Sequence, residues 1–334
     1  MPAPTPPATF PPLVGQAIVL TGSTASGKSS LAIKLAERIE GEILSLDSIA
    51  VYRYMDIGTA KPSRIDQQQV SHHLIDLADP DQDFSVAYYL AEAHRCVAEV
   101  LSRGKRPIFV GGTPMYLKAI LRGFDPGPPP DWQFRESVER DVLKFGVDAL
   151  RDRLIQVDPL SAARIAPGDT RRMIRALEVS KLTGVPLSHR QIQFDRMLSS
   201  HSCSVFAIKH DRKQLHQRIN QRVKQMFDSG LLDEVRSLLE RFGPLSRTAA
   251  QAVGYRETID WIAGQDSDVD TAPLESLQDA VATHTRQLAK RQETWFRSFQ
   301  EITPISVTQP METDSIINAL VEHIQRVDTS QLSG

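Results

Sequence analysis

The feature with the clearest chemistry is a glycine-rich segment near the amino terminus, Gly22-Ser-Thr-Ala-Ser-Gly-Lys-Ser29. It fits the pattern G-x-x-x-x-G-K-[ST] at every fixed position. The glycines let backbone N–H groups turn towards phosphate oxygens, Lys28 adds a positive charge, and Ser29 can ligate Mg²⁺. The segment therefore predicts a site for a diphosphate or triphosphate, against the alternative of an ordinary glycine turn before a helix. The predicted phosphate-binding residues here are Gly22, Thr24, Ala25, Ser26, Gly27, Lys28 and Ser29.

A candidate partner for this loop is Asp47, which ends the apolar run 42–47. In a kinase or an ATPase, an acidic residue in such a place holds the metal ion. A carboxylate can equally act as a general base, or it can merely cap a helix or turn. Local sequence leaves these three roles open.

Four short apolar runs, 16–21, 42–47, 107–112 and 204–209, predict buried strands. Helical patterns separate or follow them, at 85–102, 211–229, 231–242 and 274–299. Strands that alternate with helices predict an α/β fold with a P-loop NTPase-like parallel sheet. Ligands of such sheets bind outside the carboxyl ends of the strands, which is where the glycine-rich segment and Asp47 lie.

The segment 121–196 differs from the rest of the chain. It opens with a proline-rich breaker at 125–130 and then shows helical periodicity, which predicts an all-helical insertion into an α/β core formed by 14–120 and 197–310. Residues 1–13, with six prolines from Pro2 to Pro12, predict a disordered tail, and 311–334 a carboxyl-terminal extension.

Composition narrows the function classes. The 39 Lys and Arg residues nearly balance the 41 Asp and Glu residues, so no overall basic excess announces a nucleic-acid partner. The two cysteines, Cys96 and Cys203, are too few and too far apart for a disulfide scaffold or a zinc finger, which favours a reducing, cytoplasmic setting. No apolar stretch reaches the roughly 20 residues that a membrane span needs.

From Leu20 to Arg297 the chain resembles the bacterial tRNA dimethylallyltransferases, also called tRNA isopentenyl transferases. The motifs that carry the resemblance are Gly22-Ser-Thr-Ala-Ser-Gly-Lys-Ser29, Ser45-Leu-Asp-Ser48, Met55-Asp-Ile-Gly-Thr-Ala-Lys-Pro62, Gly111-Gly-Thr113 with Tyr116, Arg175-Ala-Leu-Glu178, Val253-Gly-Tyr-Arg256, and Gln287-Leu-Ala-Lys-Arg-Gln292 with Trp295. The resemblance implies transfer of a dimethylallyl group from its diphosphate to N6 of adenosine 37 in tRNAs that read codons beginning with U. It also implies Mg²⁺ as cofactor and a monomer.

For the reaction itself, the resemblance implies Asp47 as the base that accepts the N6 proton, with Thr113 and Arg222 as further catalytic residues. It favours Arg222 as the diphosphate arginine, with Arg218 beside it at i and i+4 on one helix. Solvated surface arginines are the alternative for both.

Four regions are implied to contact the tRNA anticodon stem-loop. Their residues are Asp47, Ser48, Ile49 and Ala50; Arg171, Arg172, Met173, Ile174 and Arg175; Gln251, Gly254, Tyr255 and Arg256; and Lys290, Arg291, Trp295 and Arg297. A solvated helix face is the alternative for Arg171 and Arg172, and core packing for Trp295 with Phe299. The pair His72-His73 lacks a third ligand in suitable spacing, so we expect a loop or structural role and leave it out of the site.

Departures from the family pattern are few. Ser23 and Ser29 stand where proline and threonine are frequent, and Gln251-Ala252 stands where charged residues are frequent. The competing hypotheses are an adenylate isopentenyltransferase acting on free AMP, ADP or ATP, a P-loop small-molecule kinase, and a non-catalytic RNA-binding protein. The insertion and the basic clusters argue against the first, and the strand 107–112 has no terminal aspartate for the metal of the second.

Overall fold

A computed structural model of the chain describes residues 9–191, 197–265, 273–307 and 312–332, in two compact units. The larger unit comprises residues 13–121 and 197–334, and the smaller unit comprises 1–12 and 122–196. Each is described separately below. None of the helices within the described ranges has the length and apolar character that crossing a bilayer requires.

A six-stranded, wholly parallel sheet forms the centre of the larger unit, in the order β3-β2-β4-β1-β5-β6. The strands are β1 (Ile18–Gly22), β2 (Gly41–Ser45), β3 (His72–His73), β4 (Arg106–Gly111), β5 (Val205–Lys209) and β6 (Thr303–Ser306). The predicted parallel α/β sheet is therefore confirmed. Every residue of β1 is buried, as expected for a central strand that is covered on both faces.

Helices on the larger unit carry most of the side chains discussed below. They are α1 (Lys28–Ile39), α2 (Arg64–Gln69), α3 (Val86–Ser102) and α4 (Pro114–Arg122) in the first half of the chain. Those of the smaller unit are α5 (Trp132–Val157), α6 (Pro159–Arg164), α7 (Thr170–Thr183) and α8 (Leu187–Arg190). The larger unit resumes with α9 (Arg212–Asp228), α10 (Leu231–Phe242), α11 (Arg247–Ala250), α12 (Tyr255–Gln265), α13 (Leu274–Phe296) and α14 (Thr313–Leu332).

The two ends of the chain differ from their predicted description. Phe10 is only 3% exposed and exchanges backbone hydrogen bonds with Phe124 at 2.7 and 2.9 Å, so the disordered tail predicted for 1–13 does not extend over residues 10–13. The carboxyl-terminal segment is not a mere extension, because Leu320 and Ile324 of α14 pack in one core cluster with Leu31 and Leu35 of α1. Residues 1–8, which hold four of the prolines, lie outside the described residues.

Four helices and no strand make up the described part of 122–191 in the smaller unit. Helix α5 is kinked at Gly146, whose φ of 86° breaks the helical backbone. The core of this unit joins α5 to α7 through Val138, Leu154, Met173 and Leu177. The fully buried Glu178 accepts hydrogen bonds from Arg135, from the backbone N–H of Asp131, and from Arg175.

Candidate active site

The glycine-rich segment connects β1 to α1 at the carboxyl edge of the sheet, as its motif predicts. Gly27 adopts φ 83°, a left-handed conformation that favours glycine, directly before the first turn of α1. The first N–H groups of a helix are unpaired within it and, with the helix dipole, form a natural anion site. The loop thus presents donors to a cavity of about 160 Å³ that Lys28 and Ser29 also line.

Lys28 is the first cation of this cavity. Its Nζ donates to the backbone oxygen of Ser23 at 3.3 Å, a long hydrogen bond. Burial is the largest influence on it, and with the neighbouring charge of Arg222 it lowers the pKa of Lys28 to about 8, although Asp47 acts in the opposite direction. An anion that enters the cavity would stabilise the protonated form of this amine.

Arg222 is the second cation and reaches the cavity from α9. Its guanidinium donates to the carbonyl of Thr59 at 3.3 Å. Burial lowers the pKa of Arg222, while the carboxylate of Asp47 raises it. Three cations, Lys28, Lys61 and Arg222, line the cavity with one carboxylate, Asp47. Lys61 is paired with Asp56 and Asp76, so Lys28 and Arg222 supply the excess of positive charge where a diphosphate would bind.

Asp47 lies two residues beyond β2 and also lines the cavity. Its Oδ1 accepts from the N–H of Ile49 at 2.8 Å and from that of Ala50 at 3.3 Å. Asp47 therefore has the capping role that the sequence left open. The two hydrogen bonds fix the orientation of its carboxylate. A carboxylate held in this way at the edge of the cavity can still accept a proton from a bound substrate.

Thr113 connects the end of β4 to the turn that carries Asp47. Its Oγ1 accepts from the N–H of Ser48 at 3.0 Å, and its own N–H donates to the carbonyl of Leu46 at 3.2 Å. The hydroxyl therefore positions the segment around Asp47, in addition to any contact with substrate.

The phosphate loop is held from outside by three side chains. Arg218 donates from Nε to the carbonyl of Ala25 at 2.7 Å, so the diphosphate role predicted for it is joined by a role in fixing the loop. His210, which follows β5, is 2.7 Å from the carbonyl of Ser26 through Nε2. The buried amide of Gln292 bonds to the N–H of Thr24 at 2.9 Å. Sequence reasoning gave no role to His210 or Gln292.

One signal in the sequence could have identified Gln292. On α13, the buried positions Thr285, Ala289, Gln292 and Phe296 recur at helical spacing, and Gln292 is a long polar residue in that buried stripe. A buried polar side chain needs hydrogen-bonding partners, so its position predicts a contact with backbone groups.

The pair His72-His73 forms the edge strand β3, and His72 also lines the cavity, where no role was predicted for it. His73 Nε2 lies 2.7 Å from the carboxylate of Glu42. The described residues contain no group of three or more His, Cys, Asp or Glu that could hold a metal ion. A Mg²⁺ in the cavity would rely on the hydroxyl of Ser29, with its remaining oxygen ligands from diphosphate and water, and this fits the ion's preference for few protein ligands.

Most of the basic residues predicted to bind tRNA are exposed. Arg171 and Arg172 lie at the start of α7, where Arg172 Nε pairs with Asp169 at 3.3 Å. Lys290, Arg291 and Arg297 are exposed along the end of α13. These cations are accessible to phosphates.

Four other residues predicted to contact tRNA have buried side chains, and for Met173 and Ile174 this corrects the prediction. Met173 and Ile174 are 0% and 4% exposed and pack in the core of the smaller unit. Tyr255 is fully buried and donates its hydroxyl to Glu234 at 2.6 Å, and Ala50 is 5% exposed. Met173 and Ile174 therefore support the fold beneath the predicted surface. Ala50 and Tyr255 also line the cavity, so the contact predicted for them stays a prediction.

Three residues combine both features. Arg175 donates to Glu178 and to the carbonyls of Pro126 and Pro128, so its guanidinium serves the smaller unit's own structure. Arg256 similarly contacts Glu257 and His284. Trp295 is 39% exposed and stacks on the buried Phe299, with ring centroids 6.4 Å apart, so the ring packs in part and is accessible in part.

Comparisons with known proteins agree with this geometry. The sequence profile described as IPP transferase matches residues 50–299. A tRNA dimethylallyltransferase of Rhodopirellula baltica is 55% identical over 327 residues, 94% of this chain and 96% of that protein. One from Geobacter sulfurreducens is 44% identical over 299 residues, 90% of this chain and 94% of that protein.

Solved structures are similar over nearly the whole chain. The full-length tRNA isopentenylpyrophosphate transferase of Bacillus halodurans superposes with a TM-score of 0.67 and 36% identity, covering 94% of this chain and 98% of that one. A eukaryotic dimethylallyltransferase acting on tRNA gives a TM-score of 0.73 at 26% identity, covering 92% of this chain and 79% of that one.

Proposed function

The chain belongs to the IPP transferase family, and we propose that it is a tRNA dimethylallyltransferase, a prenyltransferase that modifies N6 of adenosine 37 in tRNAs reading codons that begin with U. The donor is dimethylallyl diphosphate, and the products are N6-isopentenyladenosine and diphosphate. The observation that carries the proposal is the cavity that two partly buried cations, Lys28 and Arg222, line together with a single carboxylate, Asp47. Because the acceptor is tRNA, we further propose that the enzyme acts in the cytoplasm, as a monomer.

The reaction replaces one bond of the dimethylallyl C1 carbon by another. The bond from C1 to the diphosphate oxygen breaks, and its electron pair leaves with the diphosphate. The lone pair of the adenine N6 forms the new bond to C1. The amine then carries an extra proton, which the carboxylate of Asp47 accepts.

Stabilisation of the leaving diphosphate is the main electrostatic task. The N–H groups of the phosphate loop, Lys28 and Arg222 are preorganised donors within a cavity, where such interactions are stronger than in water. Mg²⁺, held by Ser29 and the phosphate oxygens, would add further positive charge when bound. The lowered pKa of Lys28 supports this role, because the negative charge of a bound diphosphate would stabilise the protonated amine that burial disfavours.

The adenine must leave the stack of the anticodon loop to offer its N6. Unstacking costs a few kcal/mol, which contacts to the rest of the stem-loop must offset. We propose that the exposed cations Arg171 and Arg172, and separately Lys290, Arg291 and Arg297, supply phosphate contacts, and that the open face of Trp295 offers a stacking surface. The proposed neighbours of the extruded base are Ser48, Ile49, Ala50, Gln251, Gly254 and Tyr255, of which Ile49, Ala50 and Tyr255 line the cavity.

The proposal is tested by a competition between two acceptors. The protein is incubated with dimethylallyl diphosphate labelled in its carbon chain, and with either an anticodon stem-loop carrying adenosines at positions 36 to 38 or AMP. We expect label in the stem-loop and none in AMP, and no label in a matched stem-loop with guanosine at position 37. Equal labelling of AMP would instead support an adenylate isopentenyltransferase, and phosphoryl transfer from ATP would support a kinase.

A further inference from the structure

Gln292 connects the two loops on which the active site is built. From α13, its Nε2 donates to the carbonyl of Gly112 at 2.7 Å, and its Oε1 accepts from the N–H of Thr24 at 2.9 Å. The orientation of the amide is determined by these partners, since a backbone N–H can only donate and a carbonyl can only accept. The side chain is 7% exposed and therefore has little access to water as an alternative partner.

Each of the two hydrogen bonds of Gln292 leads to a segment that carries catalytic groups. Thr24 belongs to the phosphate loop, four residues before Lys28. Gly112 precedes Thr113, whose hydroxyl accepts from the N–H next to Asp47. A single amide thus joins the segment that would bind the leaving group to the segment that holds the base.

The absence of a Cβ atom at Gly112 leaves room for the amide of Gln292. A Cβ atom at that position would lie 2.6 Å from Nε2 of Gln292 and 3.1 Å from the carbonyl oxygen of Gly22. Neither distance is compatible with an undisturbed contact, so any larger residue at position 112 would displace the amide. The glycine and the glutamine therefore act as a pair.

We propose that Gln292 is a positioning residue that fixes the conformation of the phosphate loop and thereby sets the affinity of the site for diphosphate. The N–H of Thr24 is directed to Gln292 and that of Ser26 to the carbonyl of Ser23, so the donors left for the phosphates are the N–H groups of the other loop residues. The inference rests on the proposed function for its meaning in catalysis. Its physical content, the binding of diphosphate by the free protein, does not depend on which acceptor is used.

The first test measures binding of inorganic diphosphate with Mg²⁺ by titration calorimetry. Gln292→Leu removes both hydrogen bonds at similar size and leaves Thr24 N–H without its partner, so we expect the affinity to fall about tenfold. Gln292→Glu retains an acceptor for Thr24, loses the donor to Gly112 and adds a negative charge, so we expect a fall of about a hundredfold. Gln287→Leu, at an exposed position of the same helix, is the control and should stay within about twofold.

The second test separates positioning from general support of the fold. In the transfer assay, Gln292→Leu should raise KM for dimethylallyl diphosphate about tenfold and leave KM for the stem-loop unchanged. A merely structural role would lower the fraction of active enzyme, and therefore kcat, with both KM values unchanged. If Gln292→Leu fails to fold, as judged by its melting curve, the same measurements are made on Gln292→Glu.

A double-mutant cycle provides a third, independent readout. Gly112→Ala should weaken diphosphate binding about tenfold in the wild-type background, and only about threefold when Gln292→Ala has already removed the amide, because the close contact with the Gly22 carbonyl remains. Unchanged diphosphate affinity in a folded Gln292→Leu protein would overturn the proposal, and so would equal effects of Gly112→Ala in both backgrounds. Loss of diphosphate affinity without tRNA labelling would uphold it while refuting the proposed function.

Discussion

Two buried charge clusters, one in each unit, illustrate opposite uses of charge. In the smaller unit, Glu178 accepts from Arg135, Arg175 and a backbone N–H, and although burial raises its pKa, these hydrogen bonds outweigh burial and lower it overall. In the larger unit, Lys28 has one long hydrogen bond, and burial lowers its pKa to about 8. The charge of Glu178 is neutralised by groups of the protein, whereas the charge of Lys28 is fully neutralised only when an anion binds.

The contrast between Glu178 and Lys28 shows how the basic motifs of the chain should be interpreted. Arg175 is among the residues implied to contact tRNA, yet it pairs with Glu178 inside the smaller unit. Lys28 and Arg222 lie close enough to lower the pKa of Lys28 by their mutual repulsion, an arrangement that stability alone would not favour. A buried charge that its neighbours leave uncompensated is therefore the better indicator of a binding site.

The largest effect is expected for the base in the larger unit. Asp47→Asn keeps a side-chain oxygen for the N–H groups of Ile49 and Ala50 but cannot accept the N6 proton, so the transfer rate should fall by about 10³. Stem-loop affinity, measured by filter binding, should change by less than about twofold. Substantial transfer by this variant would refute the assignment of Asp47 as the base.

Lys28→Met should lower the affinity for inorganic diphosphate about a hundredfold, because it removes one preorganised cation from the cavity. The same change should stabilise the free protein at pH 7 by about 1–3 kcal/mol, since it removes a charge that burial disfavours. The stability gain should shrink as the pH rises above about 8, where Lys28 of the wild type becomes neutral in the folded state. Urea unfolding at pH 7 and pH 9.5 measures both effects, and a destabilised variant would contradict this account.

Glu178→Gln provides the opposite result in the smaller unit. The amide keeps one acceptor oxygen but removes the negative charge that two partly buried guanidinium groups share, so the free energy of unfolding should fall by about 2–3 kcal/mol. Because the wild-type pKa of Glu178 lies below its ordinary value, the contribution of this cluster is present at neutral pH and is lost as the pH falls through that lowered pKa. Diphosphate affinity at a temperature where the variant is folded should not change.

The smallest effect is expected for the exposed cations of α7. Arg171→Ala with Arg172→Ala should weaken stem-loop binding several-fold and reduce its salt dependence by about one ion contact per arginine, with diphosphate affinity unchanged. Binding measured at three salt concentrations tests this, with Lys181→Ala on the same helix as control. An unaltered salt slope would remove α7 from the proposed tRNA surface.

How much the sequence could predict depends on how local each signal is. The phosphate loop and the four longest strands follow from contiguous patterns, and the structure reproduces them. The edge strands were missed because β3 has two residues and β6 alternates half-buried and exposed residues around Pro304. Helix α14 was missed because its apolar face becomes meaningful only once α1 is present to pack against it.

The candidate site shows the same limit. The motif identifies Lys28 and Ser29 without any structure, because all of its residues are adjacent in the chain. The contact of Gln292 with Thr24 joins residues 268 positions apart, and no local pattern contains it. The burial of Met173 and Tyr255 was equally invisible to motif matching, which records residue types but not the direction of their side chains.

Our main claim is that the protein does not fully neutralise the cations of the cavity, and that a bound diphosphate does so. Its most direct test is an NMR titration of the Lys28 side chain, assigned by comparison with Lys28→Met, in the free protein and with saturating diphosphate. We expect a pKa of about 8 for Lys28 in the free protein and a rise towards or above 10.5 when diphosphate is bound. A pKa near 10.5 in the free protein, or one that diphosphate does not raise, would contradict it.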